Sequence, residues 1–430
     1  MSETVRETTI PQAAPHHASR WECFKSVREL TRRLAAPLSA EDCTIQSMPE
    51  ASPTKWHLAH TTWFFETFVL AKIDPRREPY HPKFKFLFNS YYNAVGDRHP
   101  RPQRGLLSRP SLDEVLAYRH RIETDVLDAI AGAKLAPDVQ ALIDLGIQHE
   151  QQHQELLLTD LKHMLSCNPL RPAYQKNWPL TPIQAREPRW IRVAGGDRQI
   201  GHAGDGFAFD NETPRHKVWV HDFEMASHPV NNGEFIEFIN DGGYRRPELW
   251  LSLGWDHVTA RGWEAPLYWE KRDERWHMFT LHGMAPVELN TPVCHVSFFE
   301  ADAFARWSQA RLPTEAEWET AAATLPVEGN FLESGALHPL ALREAPPEGT
   351  LAQVFGDLWE WTRSDYSPYP GFRPAQGAVG EYNGKFMCSQ YVLRGGSCAT
   401  PTGHVRASYR NFFPADARWQ FSGLRLVRDA

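Results

Sequence analysis

The chain has 430 residues, 42% of them hydrophobic, which is enough for two or three domains with cores of their own. A net charge of −7 and the lack of a basic run give no indication of nucleic-acid binding. The apolar runs are too short to span a bilayer, and the six cysteines are scattered without a framework. We therefore expect a cytoplasmic protein with reduced thiols and no membrane partner, in which residues 1–19 form a flexible arm.

The first half of the chain has the apolar periodicity of amphipathic helices. Helices are predicted over residues 21–34, 53–72, 111–130 and 138–165. Ser111 and Glu114 form a capping box at the start of the third helix. The loop over residues 74–110 is rich in Pro, Tyr and Arg, and loops of this length are usually functional. The pattern predicts an all-α four-helix bundle over residues 20–167.

The second half follows a different pattern. Residues 168–189 carry many prolines and little periodicity, so we interpret them as a linker. Short strands are predicted at residues 190–193, 217–220, 223–225, 392–394 and 424–427. Only two helices are predicted, over residues 231–240 and 297–310. Residues 190–430 are therefore expected to form an α+β domain with extensive loops.

Two histidines of the fourth predicted helix have the spacing of metal ligands. His149 and His153 are four residues apart, so they lie one turn above the other on the same face. They fall on or near the apolar stripe of the helix and should face inward. A lone inward histidine is usually a packed core residue. The pair alone leaves core packing and a shared metal ion equally open, and a metal ion would require a third ligand.

The third ligand is predicted in the second helix. Trp56, His60 and Trp63 form one inward stripe, whereas His57 lies off it. Metal sites of helical bundles are built from inward side chains of facing helices. Three imidazoles with open positions suit Zn²⁺, Fe²⁺ or Cu²⁺.

A carboxylate ligand is not predicted at this site. Glu150 and Glu155 both point away from the face that carries His149 and His153. Glu155 is better interpreted as an interhelical partner or as a solvated charge.

These motifs resemble those of a known family. The segment His149-x-x-x-His153, together with Leu58-Ala59-His60, resembles the iron site of the ergothioneine-biosynthesis sulfoxide synthases, which use a DinB-like four-helix bundle. The second half resembles the formylglycine-generating (sulfatase-modifying) fold, which is related to C-type lectins. The matching segments are residues 311–319 (RLPTEAEWE), 356–361 (GDLWEW), 393–397 (LRGGS), 406–411 (RASYRN) and 423–426 (GLRL).

The resemblance implies an Fe²⁺- and O₂-dependent enzyme that acts on small molecules. Such an enzyme joins a thiol sulfur to C2 of the imidazole of hercynine (N-α-trimethylhistidine) and oxidises that sulfur to a sulfoxide. The ligands implied are His60, His149 and His153. A monomer or a small homo-oligomer is expected.

The long loop carries residues that the resemblance connects with the thiol donor. Tyr91 and Tyr92 are adjacent, and a nearby phenol can supply a proton to the reaction. Family members that use free cysteine resemble this chain in having such a pair, so cysteine is favoured over γ-glutamylcysteine. The alternative is that the two rings anchor the loop. Arg98, Arg101 and Arg104 are candidates to bind the cysteine carboxylate, although a surface role is open for each.

Hercynine contacts are also implied by the resemblance. Gln152 matches a residue that hydrogen-bonds the hercynine imidazole, and Asn411, Phe412 and Phe413 match further contacts. Aromatic faces attract quaternary ammonium groups. Mycobacterial-type members have Trp-Asp where Phe412 and Phe413 stand, so the carboxylate that would face the trimethylammonium is missing here. Asp416 is nearby, but it is not predicted to replace that carboxylate.

Three other functions compete with this one. A formylglycine-generating oxidase needs a cysteine pair, but Cys398 has no second cysteine in the residues that follow it up to Asn411. A selenoneine synthase, which joins a selenosugar to hercynine, shares both domains and stays open. A non-catalytic or thiol-transferase bundle with a lectin-like binding module also stays open.

Overall fold

The computed structural model describes residues 19–132, 135–176, 189–344 and 346–430. These residues divide into two compact units. The first unit contains the described residues up to Asn168, with the short segments Glu333–Gly335 and Pro401–His404, and the second contains the remainder. Residues 1–18 of the predicted arm and residues 177–188 of the predicted linker lie outside the described residues.

The first unit is helical. Its helices are α1 (Arg20–Ala35), α2 (Thr54–Phe64), α3 (Ala71–Ile73), α4 (Phe84–Phe88), α5 (Leu112–Gly132) and α6 (Pro137–Cys167). The four predicted long helices are all present, with ends within two residues of the expected positions. The capping box before α5 is also confirmed, since the Glu114 N–H donates to Ser111 Oγ at 3.2 Å. In the described part of the chain, no helix is both long and apolar enough to cross a membrane.

Helix α2 is the central helix of this unit. All eleven of its residues are buried, although several are polar. A helix that is buried on every side must satisfy its polar side chains internally, either with each other or with a ligand. A π-helical turn, Phe65–Leu70, joins α2 to α3, and such turns frequently occur beside functional sites.

The second unit contains short strands, four helices and long connections. Its helices are α7 (Asn232–Asn240), α8 (Ser252–Arg261), α9 (Phe298–Trp307) and α10 (Glu315–Ala322). Its strands are β1 (Trp190–Val193), β2 (Gly196–Ile200), β3 (His216–Val220), β4 (Phe223–Ala226), β5 (Trp269–Arg272), β6 (Arg275–Thr280), β7 (Gly283–Pro286), β8 (Gly329–Asn330), β9 (Phe355–Gly356), β10 (Trp359–Asp365), β11 (Tyr391–Arg394), β12 (Asn411–Phe413), β13 (Ser422–Gly423) and β14 (Val427–Asp429).

The strands of the second unit form several small sheets rather than one large one. The largest has the order β12-β11-β10-β13, and β13 runs parallel to β10. A second sheet, β1-β4-β14, is antiparallel throughout and carries the core residues Phe223, Met225 and Val427. The three-stranded β5-β6-β7 and the pairs β2-β3 and β8-β9 complete the set among the described residues.

Two predictions for the second unit were wrong. The strand expected over residues 424–427 is replaced by two shorter ones, because the Arg425 side chain between them is drawn inside to pair with Glu360 at 2.8 Å. Helices α8 and α10 were missed because each is only a few turns long. The start of α10 did carry a signal, since Thr314 and Glu317 form a capping box there.

Candidate metal centre

Three histidines meet in the interior of the first unit. His60 comes from α2, and His149 and His153 come from successive turns of α6. One ring nitrogen from each lies within 4.8 Å of the others, and all three side chains are buried. The Nε2 atoms of His60 and His149 are 3.2 Å apart. Such a cluster can hold one metal ion through three imidazole nitrogens.

A glycine allows α6 to approach the end of α2 closely. A Cβ atom at Gly146 would lie only 2.5 Å from Cε1 of Phe65, the first residue of the π-helical turn. The neighbouring Phe64 packs against His149 with ring centroids 4.7 Å apart. Gly146 therefore determines how near His149 comes to α2.

The three imidazoles are held in the neutral form by burial. Burial lowers the pKa of His149 from its usual 6.5 to about 3. Burial, assisted by the nearby His149, also lowers the pKa values of His60 and His153 well below the usual value. Neutral imidazole is the form that binds metal ions. The donor set therefore fits a divalent metal ion at neutral pH.

His60 is fixed in both tautomer and orientation. Its Nδ1 donates to the backbone carbonyl of Phe88 at 2.6 Å, so the lone pair of the ring is on Nε2, which faces the cluster. Trp56 and Trp63 both stack against the ring, with centroid separations of 4.5 and 5.5 Å. The inward stripe of α2 thus supplies one ligand and two indoles that hold it.

Glu150 follows His149 in sequence but belongs to another part of the interior. Its carboxylate accepts a hydrogen bond from Arg28 at 2.9 Å and also pairs with Arg119. Burial alone would raise the pKa of Glu150, but the two guanidinium groups outweigh it and hold the pKa at about 2. Glu155 is buried as well, which excludes a solvated surface charge. Among the residues that the structure describes, no carboxylate joins the cluster.

The two adjacent tyrosines differ in their surroundings. Tyr92 is buried and packs against Trp63 and Phe68, with ring centroids 5.8 and 5.0 Å away. Tyr91 is half-buried. Tyr92 therefore lies one ring away from His60, because Trp63 contacts both.

The three arginines of the long loop also separate by burial. Arg98 and Arg101 are exposed, and they donate to Asn93 Oδ1 and to the backbone carbonyl of Glu50. Arg104, in contrast, is only 3% exposed.

The Arg104 guanidinium is buried, and the nearest acidic influence on it, from Asp160, acts without a direct ion pair. It lies 3.4 Å from the ring centroid of Trp56 and donates to the hydroxyls of Ser52 and Ser90, at 2.8 and 3.3 Å. Within the described ranges, no carboxylate forms an ion pair with it, and its Nε has no hydrogen-bond partner. Burial lowers the pKa of Arg104 to about 9, so the group is still cationic at neutral pH. A buried cation of this kind suits an anionic ligand.

The residues predicted to contact hercynine lie on two elements. Gln152 is half-buried on α6. Asn411, Phe412 and Phe413 form β12 of the second unit. Phe412 stacks on Tyr366 with centroids 4.0 Å apart and an interplanar angle of 10°.

Two residues linked to the cluster of His60, His149 and His153 were not predicted from the sequence. His57 of α2 is buried, and its Nδ1 lies 2.9 Å from Nδ1 of His153. Asp160 of α6 is buried as well, and its Oδ2 lies 3.0 Å from Nε2 of His57. His57 lies off the predicted inward stripe of α2, but α2 is buried on every side and has no outward face. The sequence signal that could have identified Asp160 is its position two turns after His153 on the same helix.

The chain matches a known domain family in each half. Residues 24–157 match the DinB superfamily, and residues 179–339 and 345–430 match the sulfatase-modifying factor enzyme 1-like domain. Both matches confirm the fold class predicted from the sequence. They define a class of two-domain proteins, in which a DinB-type helical bundle is joined to a β-rich, formylglycine-generating-enzyme-like domain.

Relatives of nearly full length identify the family within this class. The hercynine oxygenase of Mycolicibacterium thermoresistibile is 34% identical over 97% of this chain and 96% of that protein. The hercynine oxygenase of Mycobacterium tuberculosis is 34% identical over 98% of this chain and 100% of that protein. The Ergothioneine biosynthesis protein 1 of Schizosaccharomyces pombe is 30% identical over 52% of this chain and 28% of that protein.

The chain belongs to the hercynine oxygenase family and is an oxidoreductase. The resemblance inferred from the sequence motifs is thereby confirmed. A non-catalytic bundle fused to a binding module is excluded.

Proposed function

We propose that this enzyme is an Fe²⁺- and O₂-dependent sulfoxide synthase of ergothioneine biosynthesis. The observation that carries the proposal is the buried cluster of His60, His149 and His153, in a chain that hercynine oxygenases match almost throughout. In the proposed reaction, the S–H bond of a thiol and the C2–H bond of the hercynine imidazole are replaced by a C–S bond. O₂ accepts four electrons, one oxygen atom enters the sulfoxide, and the other leaves as water with the two protons.

The donor set supports iron(II) as the metal. His60, His149 and His153 would hold it, because they are neutral and no described carboxylate competes for it. When bound, iron(II) supplies a coordination site for the donor thiolate and for O₂. The aromatic walls formed by Trp56, Trp63 and Phe64 would limit the access of bulk water to the site.

Free cysteine is the sulfur donor that we favour. Arg104 would bind its carboxylate, because this buried guanidinium contacts two hydroxyls and forms no direct ion pair with a described carboxylate. Arg98 and Arg101 are exposed in the same loop and are proposed as weaker contacts at the entrance. The Tyr91–Tyr92 pair supports the same choice of donor through its resemblance to cysteine-using members.

A phenol of the tyrosine pair is proposed as the proton donor. Tyr92 is buried beside Trp63, where its hydroxyl is shielded from solvent, whereas Tyr91 is more exposed. Proton transfer from a positioned side chain typically contributes about 10²- to 10⁴-fold in rate. Tyr92→Phe should therefore shift the product from sulfoxide towards cysteine sulfinate, and Tyr91→Phe is the matched comparison. An unchanged product distribution in both variants would remove this role.

Hercynine is proposed to be bound by Gln152 and by the residues of β12. The Gln152 amide would hydrogen-bond the imidazole. The aromatic faces of Phe412 and Phe413 would attract the trimethylammonium group in place of a carboxylate. Asn411 would be a further polar contact.

Oxygen consumption in the presence of hercynine tests the proposal directly. Cysteine, γ-glutamylcysteine and a selenosugar should be supplied in turn, with the product identified by mass. We expect turnover with cysteine and formation of the hercynine–cysteine sulfoxide. Turnover with the selenosugar alone would instead establish a selenoneine synthase, and turnover with γ-glutamylcysteine alone would overturn the choice of donor.

The role of Arg104 can be tested separately. Loss of a charge-assisted hydrogen bond costs about 1.5–3 kcal/mol, so Arg104→Met should raise the KM for cysteine by about 10- to 100-fold. Methionine retains most of the apolar contact with Trp56. Arg109→Met is the control, and it should change KM by less than about threefold because this arginine of the same loop is exposed and has no proposed contact with the substrate. Equal effects of the two substitutions would contradict the assignment.

A further inference from the structure

A buried chain of polar contacts leads away from the histidine cluster. His153 Nδ1 lies 2.9 Å from His57 Nδ1, and His57 Nε2 lies 3.0 Å from Asp160 Oδ2. His57 and Asp160 are 2% and 5% exposed, so water does not substitute for these contacts. The resulting order is carboxylate, imidazole, imidazole.

The direction of each hydrogen bond in this chain follows from the carboxylate. The Asp160 oxygen that His57 contacts also accepts the backbone N–H of Ser52, so it acts as an acceptor and Nε2 of His57 donates a hydrogen to it. In a neutral imidazole the other nitrogen then has the lone pair, so Nδ1 of His57 accepts from Nδ1–H of His153. The lone pair of His153 is thereby placed on Nε2. Asp160 thus fixes the tautomer of His153 indirectly, through its hydrogen bond to His57.

We propose that His57 and Asp160 are positioning residues for the metal ligand His153. They hold its ring in the tautomer that leaves Nε2 for the metal ion, and they increase the basicity of that nitrogen. This inference rests on the metal site of the proposed function. Phe88 performs the corresponding task for His60 with a backbone carbonyl. Partners that orient a metal ligand typically account for about 10- to 100-fold in metal affinity.

A purely structural role is the competing explanation. Asp160 Oδ2 also accepts the backbone N–H of Ser52 at 2.8 Å, just before α2, and His57 fills space between α2 and α6. Both explanations predict that disruptive substitutions destabilise the fold. They differ in what glutamine does at position 57. Its side-chain amide can donate to Asp160 and accept from His153 at once, as the imidazole does, whereas phenylalanine fills the space without either bond.

The test is a titration of the metal-free full chain with Co²⁺, in which the visible absorption bands of the bound ion report binding. A competition between Co²⁺ and Fe²⁺ then gives the affinity for iron. His57→Phe should weaken metal affinity by about 10- to 100-fold, and His57→Gln should recover most of the loss. Asp160→Asn retains an acceptor oxygen but loses the charge, so a smaller loss and a shift of the Co²⁺ bands are expected. His120→Phe is the control, because His120 is exposed on α5 and takes no part in this chain of contacts.

The outcomes distinguish this inference from the function on which it rests. Wild-type affinity and bands in His57→Phe or Asp160→Asn would overturn the positioning role, even if the wild-type enzyme binds iron and turns over. Equal losses in folded His57→Gln and His57→Phe would assign the effect to packing and would also overturn it. Failure of the wild-type chain to bind either metal would instead remove the metal site itself. Because Asp160→Asn changes few atoms, it serves as the test if His57→Phe does not fold.

Discussion

Two faces of helix α6 bury polar side chains in opposite ways. On one face, Glu150 is surrounded by groups that neutralise it, with Arg28 at 2.9 Å and Arg119 also paired to it. On the other face, His149 and His153 bring ring nitrogens within 4.8 Å of His60. In the first arrangement, the buried charges compensate one another within the protein. The second gathers neutral imidazole nitrogens around a common point, where one cation can bind all three. Mutual charge compensation, rather than burial, therefore separates structural polar groups from functional ones.

The buried arginines extend this comparison. In the second unit, Arg394 pairs with Glu315 and Glu319, and Arg425 pairs with Glu360. Arg104 of the first unit is equally inaccessible, but in the described part of the chain it has no carboxylate partner. By the same criterion, the first two hold the fold, and Arg104 is available to bind an anion.

The largest effect is expected from removing the Glu150 carboxylate, which pairs with Arg28 and Arg119 on one face of α6. Removal of one partner from a buried ion pair typically costs about 3–5 kcal/mol, because the remaining charge stays buried. Glu150→Gln should therefore destabilise the first unit by that amount, as it leaves Arg119 without its ion pair and Arg28 with only Glu123, at 3.9 Å. Chemical denaturation measures the loss. Metal affinity of the folded variant should be unchanged, and a selective loss of metal binding with normal stability would contradict the division between the two faces.

Substitution of the adjacent residue, His149, should instead reduce metal affinity more than stability. His149→Ala removes a ligand rather than the orientation of one, so metal affinity should fall by at least about 100-fold. Stability of the metal-free protein should fall less than in Glu150→Gln, since no charge is left unpaired. Equilibrium dialysis with Fe²⁺ and denaturation without metal give the two values. Full metal retention would remove the site.

The periodicity of the sequence was sufficient to predict which face of each helix carries which residue. The i, i+4 spacing of His149 and His153 and the stripe containing His60 are properties of single helices. The separation of Glu150 from that face follows from the same 3.6-residue repeat. These features depend on local geometry, which a sequence specifies directly.

Contacts between elements could not be predicted in this way. His57 was left out of the predicted site because it lies off the inward stripe, whereas α2 is buried all round. Three arginines of one loop were equivalent in sequence, and only the path of the chain buries Arg104 over Trp56. The strand expected at residues 424–427 is split because Arg425 pairs with Glu360, a partner 65 residues away. Each case turns on a tertiary contact that overrides the local pattern.

The close packing between the helices can be probed without touching a polar group. An added methyl group in a tightly packed core typically costs about 1–3 kcal/mol. Gly146→Ala should fall in this range, because its Cβ would lie 2.5 Å from the Phe65 ring. Gly132→Ala is the matched control, since a Cβ there meets nothing within 4 Å. If Gly146 positions His149, the Co²⁺ absorption bands of Gly146→Ala should also shift. Stability and bands like those of Gly132→Ala would show that the helices accommodate the methyl group.

The smallest change in metal affinity is expected from a change of pH, and its size distinguishes a buried histidine cluster from an exposed one. Three histidines with ordinary pKa values would each lose about tenfold in metal affinity one unit below their pKa, through competition with protons. Here burial holds the pKa of His149 at about 3 and those of His60 and His153 well below 6.5. Metal affinity should therefore change by less than about threefold between pH 7.5 and 5.5.

The stability of the metal-free protein, in contrast to its metal affinity, should depend strongly on pH. In the unfolded chain these histidines take up protons below pH 6.5, whereas in the folded chain they stay neutral until the pH approaches their lowered pKa values. The folded state is therefore most favoured above pH 6.5. As the pH falls below 6.5, each histidine lowers the free energy of unfolding by up to about 1.4 kcal/mol per pH unit. Denaturation of metal-free protein at pH 7.5 and 5.5 measures this loss, and His149→Phe, which cannot be protonated, should reduce it by one histidine's share. A steep fall in metal affinity combined with a flat stability profile would show that the cluster opens to solvent, and the contrast between the two faces of α6 would then fail.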